Sequence, residues 1–568
     1  MVNEFDTFFG NIGSDLAKKH KSGGSFTNYL SVQNETTFHF NEVTKHDIWA
    51  IISTIKPKQS RGTDGISNHL LKAIINEVCE PLTIIINKSL KEGIVPAEMK
   101  VAKVVPLFKK GKKTDISNYR PISLLNVISK VLERVVDNQV RTFLEENKLI
   151  YGHKYGFRKG RNTIQTVLNF VKEIEESKFK KEYSAAVFCD LKKAFDTVNH
   201  QILLKKLEHY GVKGTENKWF QDYLSNRYQI VEIDNIQSEL LKISCGVPQG
   251  SVLSPLLFLL FINDLPENLG LRVFLFADDT TLLATEKSEK KLMTKLNKEL
   301  EGVCAWFSAN KLTFHPDKTN FIKFYGTSGP NFELKIGNKK LEKIGESEPN
   351  SCVNFLGVKI DEKLSWKYHK ETTFKKLSKN IMVLNKVKNE LPKKTKLLIY
   401  NTLIKPHAEY GALIWHDDIK TGNTLDKLQK RAVRAITNAP YNEHTNPILK
   451  ELQITKFSDI KTLQAVTLVK LKELGKLPEE LSQNFKLANR ENRSKSNFSL
   501  QIANSKIINN IVKSWNNISK TVILQPSTKS AVKEVKGRLL ARMESKCQKK
   551  KCYVCKSAKE RLIANSKQ

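Results

Sequence analysis

Asp278 and Asp279 stand between two apolar, β-prone runs, 273–277 and 280–283. The pattern predicts a strand, a tight turn and a second strand. Taken alone, an Asp pair at a hairpin tip is ordinary turn chemistry. A second run upstream, Val187-Phe188-Cys189-Asp190-Leu191, is also β-prone and also closes on an aspartate. If the two strands lie side by side, Asp190 and Asp278 face each other at their ends. Two carboxylates about 4 Å apart repel by roughly 4 kcal/mol at an effective dielectric near 20. Such a pair calls for a proton or a divalent cation. Hard oxygen ligands with an open side for phosphate suit Mg²⁺, and two such ions between carboxylates serve in-line phosphoryl transfer.

Five positions beyond Asp190 comes Phe195, where the strand is expected to give way to a helix. A ring there could fill the space that a ribose 2′-hydroxyl needs; as a bland alternative it is a core Phe. Between the two acidic strands lies Cys245-Gly246-Val247-Pro248-Gln249-Gly250-Ser251, a Gly/Pro-punctuated loop entering an apolar helix at 256–265. Glycines let another group approach the backbone closely, and Gln249 offers an amide.

Other elements must hold these in place. Thr44 followed by Asp47 is a capping pattern that opens a helix over 45–55. A loop with Arg61, Gly62, Asp64 and Gly65 follows. Residues 101–108 read as a strand running into Lys109-Lys110-Gly111-Lys112-Lys113, and a second strand begins near Arg120. Strand, basic loop, strand suits phosphate, because Lys supplies a point charge and Arg a two-pronged fork. Helical spacing recurs over 126–149, 164–177 and 287–309, and through most of 365–470. Between the first two helices, Tyr155-Gly156-Phe157-Arg158-Lys159-Gly160-Arg161 mixes glycines, aromatics and cations. A strand is expected at 321–324 behind Lys318, and a short hairpin around Gly357.

Bulk composition narrows the partner. With 94 Lys+Arg against 59 Asp+Glu, the chain of 568 residues carries a formal charge of +35. Such a balance points to a polyanion, nucleic acid above all. No apolar run approaches the length of a membrane-spanning helix. The eight cysteines, with no secretory signal at Met1, read as free thiols of an intracellular protein.

Phe276-Ala277-Asp278-Asp279, Asp190 in Phe-Cys-Asp-Leu-Lys-Lys-Ala-Phe-Asp, and Gly246-Val247-Pro248-Gln249-Gly250-Ser251 between them resemble the reverse transcriptases of non-LTR (LINE-type, jockey-like) retrotransposons. The resemblance spans about 50–470, with the motifs in family order. It implies an α+β right-hand polymerase with fingers, a palm of antiparallel sheet plus helices, and a helical thumb. The domain expectations are an N-terminal arm at 1–45 (a short helix, then extended chain) and a helical fingers extension at 46–100. Fingers and palm then occupy 101–360, a helical thumb 361–470 and a basic C-terminal region 471–568. The implied activity is RNA-directed DNA polymerisation. Asp190, Asp278 and Asp279 would be catalytic and would hold Mg²⁺, with the Leu191 carbonyl contributing. Lys109 (Lys110 is an equal alternative) and Arg120 would meet the triphosphate, Phe195 would select deoxynucleotides, Gln249 would lie under the nascent base pair, and Lys318 would protonate the leaving pyrophosphate. Arg61, Arg158 and Gly357 would contact template or primer, and Lys427, Lys430, Arg431 and Arg434 would form a basic thumb face. The implied partners are an RNA template, a DNA primer and deoxynucleoside triphosphates, and the implied setting is the nucleus.

Two departures from the family pattern carry expectations. LINE-type polyproteins have an endonuclease ahead of the polymerase, and this chain begins about where that domain would end. No RNase H set of spaced carboxylates is seen either, and the chain is expected to extend a primer but not to nick DNA to make one. Cys547, Cys552 and Cys555 fall one ligand short of a structural zinc site. The competing reading is a catalytically silent, element-derived nucleic-acid-binding protein. Its intact carboxylates count against it, as Phe195 counts against an RNA-templated RNA polymerase.

Overall fold

The computed structural model describes residues 1–18, 24–31, 35–325, 333–337, 339–345, 351–486, 500–501, 503–518 and 520–544. Cys547, Cys552 and Cys555 lie outside these, as does the end of the basic C-terminal region. No helix among the described residues is long and apolar enough to cross a membrane.

The chain is a mixed α/β molecule. Its strands, in order, are β1 (Val101–Phe108), β2 (Tyr119–Leu125), β3 (Tyr183–Cys189), β4 (Arg227–Ile233), β5 (Ile236–Gln237), β6 (Leu241–Ile243), β7 (Arg272–Phe276), β8 (Asp279–Glu286), β9 (Asn320–Phe324), β10 (Lys335–Ile336), β11 (Lys339–Lys340), β12 (Glu342–Ile344), β13 (Val353–Phe355) and β14 (Val358–Ile360). The central sheet has the order β12-β9-β3-β8-β7. It is antiparallel except where β12 runs parallel to β9. A second sheet runs β2-β1-β4-β5, with β6 also on β4.

Local signals placed most elements. The helix Lys45–Thr54 opens with a capping box between Thr44 and Asp47. The helix Glu289–Ala309 buries Leu292, Leu296, Leu300, Val303 and Trp306, a repeat of three to four residues that keeps one face inward. The apolar helix after Ser251 is shorter than expected. It spans Ser254–Phe261, with every residue except Pro255 buried. Lys206 caps its last carbonyl: the ammonium donates to Phe261 O at 2.7 Å and to Asp264 at 2.6 Å. A cation at a helix C-terminus complements the exposed carbonyl dipoles, and Asp264 balances the buried charge.

Two long-range arrangements were not anticipated. The N-terminal helix Val2–Lys18 is not a detached arm. Its Phe5 and Phe9, one turn apart, pack against Val104 of β1 and Val231 of β4. Its buried Asp6 accepts Gln229 Nε2 at 2.7 Å. At the other end, the helix Lys506–Asn516 returns to the middle of the chain, where Glu175 accepts from Ser505 Oγ at 2.6 Å and from Ile507 N at 2.9 Å. The apolar core beneath the C-terminal helices is continuous with Tyr155, Phe170 and Phe274.

Candidate active site

The three aspartates come together through strand register. Cys189 of β3 pairs with Thr280 of β8, so Asp190 and Asp279 are the next residues of neighbouring strands. Phe276 pairs with Asp279 across the β7–β8 hairpin, which leaves Ala277 and Asp278 as its two-residue turn. Asp279, rather than Asp278, is thus the residue in line with Asp190, and Asp278 is at the tip. Ala277 takes φ 55, in the left-handed region that favours glycine. Gly156 lies against this turn: a Cβ there would sit 2.2 Å from the Ala277 nitrogen. Enclosure first, then the like charges of Asp278 and Asp190, push the Asp279 carboxyl up to about 6.

Asp190 is held from the opposite side by the segment before β9. Its N–H donates to Thr319 Oγ1 at 3.3 Å and its carbonyl accepts the His315 N–H at 2.9 Å. Leu191 bridges Phe314, with the Lys192 N–H on the Thr313 carbonyl at 2.9 Å. In this antiparallel pairing the polar groups of Leu191 itself point the other way. Lys318 Nζ stands 3.5 Å from Asp190 Oδ2.

The donor set fits a divalent cation. Among the described residues, no three acidic, His or Cys side chains are gathered tightly enough to hold an ion as they stand. Yet three carboxylates share one end of the sheet, and after burial their mutual repulsion adds to the raised Asp279. A hard dication relieves that repulsion, and carboxylate and carbonyl oxygens are its preferred ligands.

A cluster of cations faces the carboxylates. The β1–β2 hairpin sets Leu107 opposite Arg120 and closes with the Lys109 N–H on the Asn118 carbonyl at 2.9 Å. Partial enclosure, then Arg120, Lys110 and Lys318, push the Lys109 ammonium down, while Asp190 acts in the opposite sense. Arg120, Lys318 and Asp190 are therefore all within electrostatic reach of Lys109.

Phe195 stacks on Phe258 of the apolar helix, with ring centroids 4.7 Å apart and planes at 24°. Phe157 meets its ring edge-on at 6.1 Å and 87°. Gln249 lies behind it: Nε2 donates to Asp196 Oδ1 at 2.7 Å, and the Gln249 carbonyl accepts the Ser123 N–H at 2.8 Å. Burial raises the Asp196 carboxyl despite that hydrogen bond. The structure thus brings together Asp190, Leu191, Asp278, Asp279, Lys109, Arg120 and Lys318, with Phe195 and Gln249 joined to them through the short Asp190–Asp196 stretch.

The remaining expected residues stand elsewhere. Arg61 is exposed in a loop that bridges Ser67 and packs on Asn126 through Gly62. Arg158 is turned inward: its guanidinium forks onto Glu145 at 2.9 and 2.6 Å, donates to the Tyr151 carbonyl and is only 8% exposed. In this arrangement it fixes the loop 151–158 and has no fork free for a template phosphate. Gly357, at φ 82, shares the β13–β14 turn with Leu356 and faces the Tyr410 ring; the Tyr410 hydroxyl donates to the Leu356 carbonyl.

Two site residues were missed in the sequence. Phe157, at φ 60 and 41% exposed, belongs to the aromatic wall around Phe195. Its signal was an aromatic beside a glycine in a cation-rich loop. Lys193 sits three residues past Asp190, within electrostatic reach of Lys109 and Arg120, and was hidden among many lysines.

Residues 109–360 match the family model described as reverse transcriptase (RNA-dependent DNA polymerase). The chain is 30% identical over 490 residues to a probable RNA-directed DNA polymerase from transposon BS of Drosophila melanogaster, covering 78% of this chain and 52% of that protein. It is 26% identical over 477 residues to the RNA-directed DNA polymerase from mobile element jockey of the same species, covering 80% and 50%. A probable RNA-directed DNA polymerase from transposon X-element, also of that species, is 26% identical over 423 residues, covering 70% and 44%. The chain spans about half the length of these curated relatives.

Proposed function

We propose, with residues 109–360 a reverse transcriptase domain of the non-LTR retrotransposon kind, that this chain extends the 3′ end of a DNA primer along an RNA template. The observation that carries the reading is the register that lines Asp190 up with Asp279, with Asp278 at the turn between β7 and β8, opposite a group of cations. On this reading the central sheet with its helices is the palm, β1 and β2 belong to the fingers, and the helices of 361–470 are the thumb.

Asp190, Asp278 and Asp279 would hold Mg²⁺, with the Leu191 carbonyl as a further ligand. Two bound Mg²⁺ ions supply Lewis acidity, lowering the pKa of the primer 3′-hydroxyl and offsetting charge on the transferred phosphoryl group. The chain's own groups do the rest. Lys109 and Arg120 orient the triphosphate, and their fixed charges meet the negative charge that grows on the leaving group. Lys318, beside Asp190, is placed to give that leaving group a proton. Phe195, backed by Phe258, stands where a 2′-hydroxyl would project. Gln249 faces the base pair from below, its amide set by Asp196. The Leu356-Gly357 turn, tied to Tyr410, supports the primer end. Arg61 and the basic thumb face would track template and duplex backbone, and genomic DNA as target places the activity in the nucleus.

The test is primer extension on a polyadenylate-tailed RNA with a supplied DNA primer and Mg²⁺, comparing wild type with Asp278→Ala. Wild type should add deoxynucleotides, and the variant should bind primer–template normally but not extend it. Extension by Asp278→Ala at the wild-type rate would remove the catalytic assignment. A folded, RNA-binding wild type that never extends would favour a silent nucleic-acid-binding protein.

A further inference from the structure

We propose that Lys193 is a third phosphate-contacting cation of the nucleotide site, gripping the β,γ end of an incoming nucleoside triphosphate beside Lys109 and Arg120. The inference rests on the polymerase reading and deepens it.

Lys193 lies in the short stretch between Asp190 and Phe195, and its backbone is held at φ 50. For a residue with a Cβ this conformation is strained, and such strain gathers at functional sites. Its Nζ donates to the Tyr119 carbonyl at 3.3 Å, at the end of the hairpin that presents Lys109 and Arg120. All three cations repel one another. Among the described residues, none of the three forms an ion pair with a carboxylate. Other enclosed lysines of this protein do: Lys206 meets Asp264 at 2.6 Å, and Lys100 meets Asp222 at 2.7 Å. The nearby negative charge, Asp196, attracts the Lys193 ammonium without forming an ion pair with it, and one of its oxygens accepts from Gln249. Behind Lys193, the Phe8 ring of the N-terminal helix lies 5.8 Å from the ammonium, within reach of a weak cation–π attraction. Gly13 of the same helix packs so closely on the Asp196 carbonyl that a Cβ would clash there. A cation held from behind, beside two other cations and with no carboxylate at ion-pair distance, is complemented by a polyanion. Its place in the chain between Asp190 and Phe195, with its ammonium on the carbonyl that precedes Arg120, favours the triphosphate of the nucleotide over the backbone of template or primer.

Lys193→Gln removes the charge and keeps a donor for the Tyr119 carbonyl, and Lys193→Arg keeps the charge. Binding of dTTP is measured by equilibrium dialysis with Ca²⁺, without turnover, together with displacement by inorganic tripolyphosphate. Lys193→Gln should weaken both about ten- to hundredfold, the scale of one charge-assisted hydrogen bond. Lys193→Arg should recover most of the loss, and primer–template affinity should change by less than about threefold. Wild-type dTTP binding by Lys193→Gln would reduce the residue to a tether of the hairpin and overturn the proposal. A loss confined to primer–template affinity would also overturn it, since Lys193 would then be a backbone contact. The readout is binding, so absence of extension in every variant would count against the polymerase reading and not against Lys193.

Discussion

The ammonium of Lys318 lies 3.5 Å from a carboxylate oxygen of Asp190, and the two side chains are 60% and 42% exposed. An exposed pair of this kind contributes no more than about 1 kcal/mol, so a divalent cation can displace the lysine from Asp190 at little cost. Lys318→Ala should therefore shift Mn²⁺ affinity by less than about fivefold. On the proposed role of Lys318 as proton donor, single-turnover extension should slow by about a hundredfold. Unchanged extension at saturating metal would limit Lys318 to the role of counter-ion.

Asp279 gives the site a pH dependence. Enclosure and the charges of Asp278 and Asp190 raise its carboxyl to about 6, so the protonated form prevails below that pH. A cation must then displace a proton. Mn²⁺ affinity should fall about tenfold for each pH unit below 6 and level off above it. In Asp279→Asn the break near 6 should vanish. A flat wild-type titration between pH 5 and 7 would show that Asp279 ionises independently of its neighbours.

Phe195 rests on a ring rather than on a polar group, with Phe258 at 4.7 Å and Phe157 edge-on. Truncation should open space at the sugar without removing a hydrogen bond. Phe195→Val should raise ribonucleotide incorporation relative to deoxynucleotide by at least about tenfold, read as the ratio of the two kcat/KM values. The same ratio in wild type and variant would make Phe195 a packing residue only.

Asp196 should separate stability from nucleotide binding. Burial raises its carboxyl, so ionisation opposes folding. Its contribution is fully present below the ordinary carboxylate value near 4 and is lost as pH rises through the folded value. Asp196→Asn should therefore gain Tm relative to wild type at pH 8 compared with pH 5. It should also raise the KM for deoxynucleotide several-fold, because the Gln249 amide loses a charged acceptor at 2.7 Å. Equal Tm differences at both pH values would mean that Asp196 is as well solvated folded as unfolded.

Much of the site was legible because local chemistry announces itself. The strand that runs into Asp190, the lysine loop after Phe108 and the capping box at Thr44 fall where pattern placed them, while the turn expected at the Asp pair lies one residue earlier, at Ala277 and Asp278. Arg158 shows the limit. Its loop promised a template contact, but Glu145, thirteen residues earlier, takes the guanidinium. A sequence shows that a cation is present and cannot show which carboxylate will reach it first. The N-terminal helix is a similar case: its Phe5 and Phe9 were visible, but Val104 and Val231, their receiving surface, lie about a hundred and more than two hundred residues away.

The sequence by itself determined the types and order of the elements and the presence of three aspartates at strand ends, because helix and strand periodicities are written over a few residues. Only the tertiary structure decided that β3 pairs with β8 in the register Cys189–Thr280, which sets Asp279 beside Asp190 and leaves Asp278 at the tip. It alone brought the Lys193 ammonium onto the Tyr119 carbonyl, next to Arg120. Register is chosen by the whole buried face of a sheet, and a one-residue slip would carry every side chain of the strand to the other face. Charged partners are chosen by the packing that follows, and no local pattern encodes either choice.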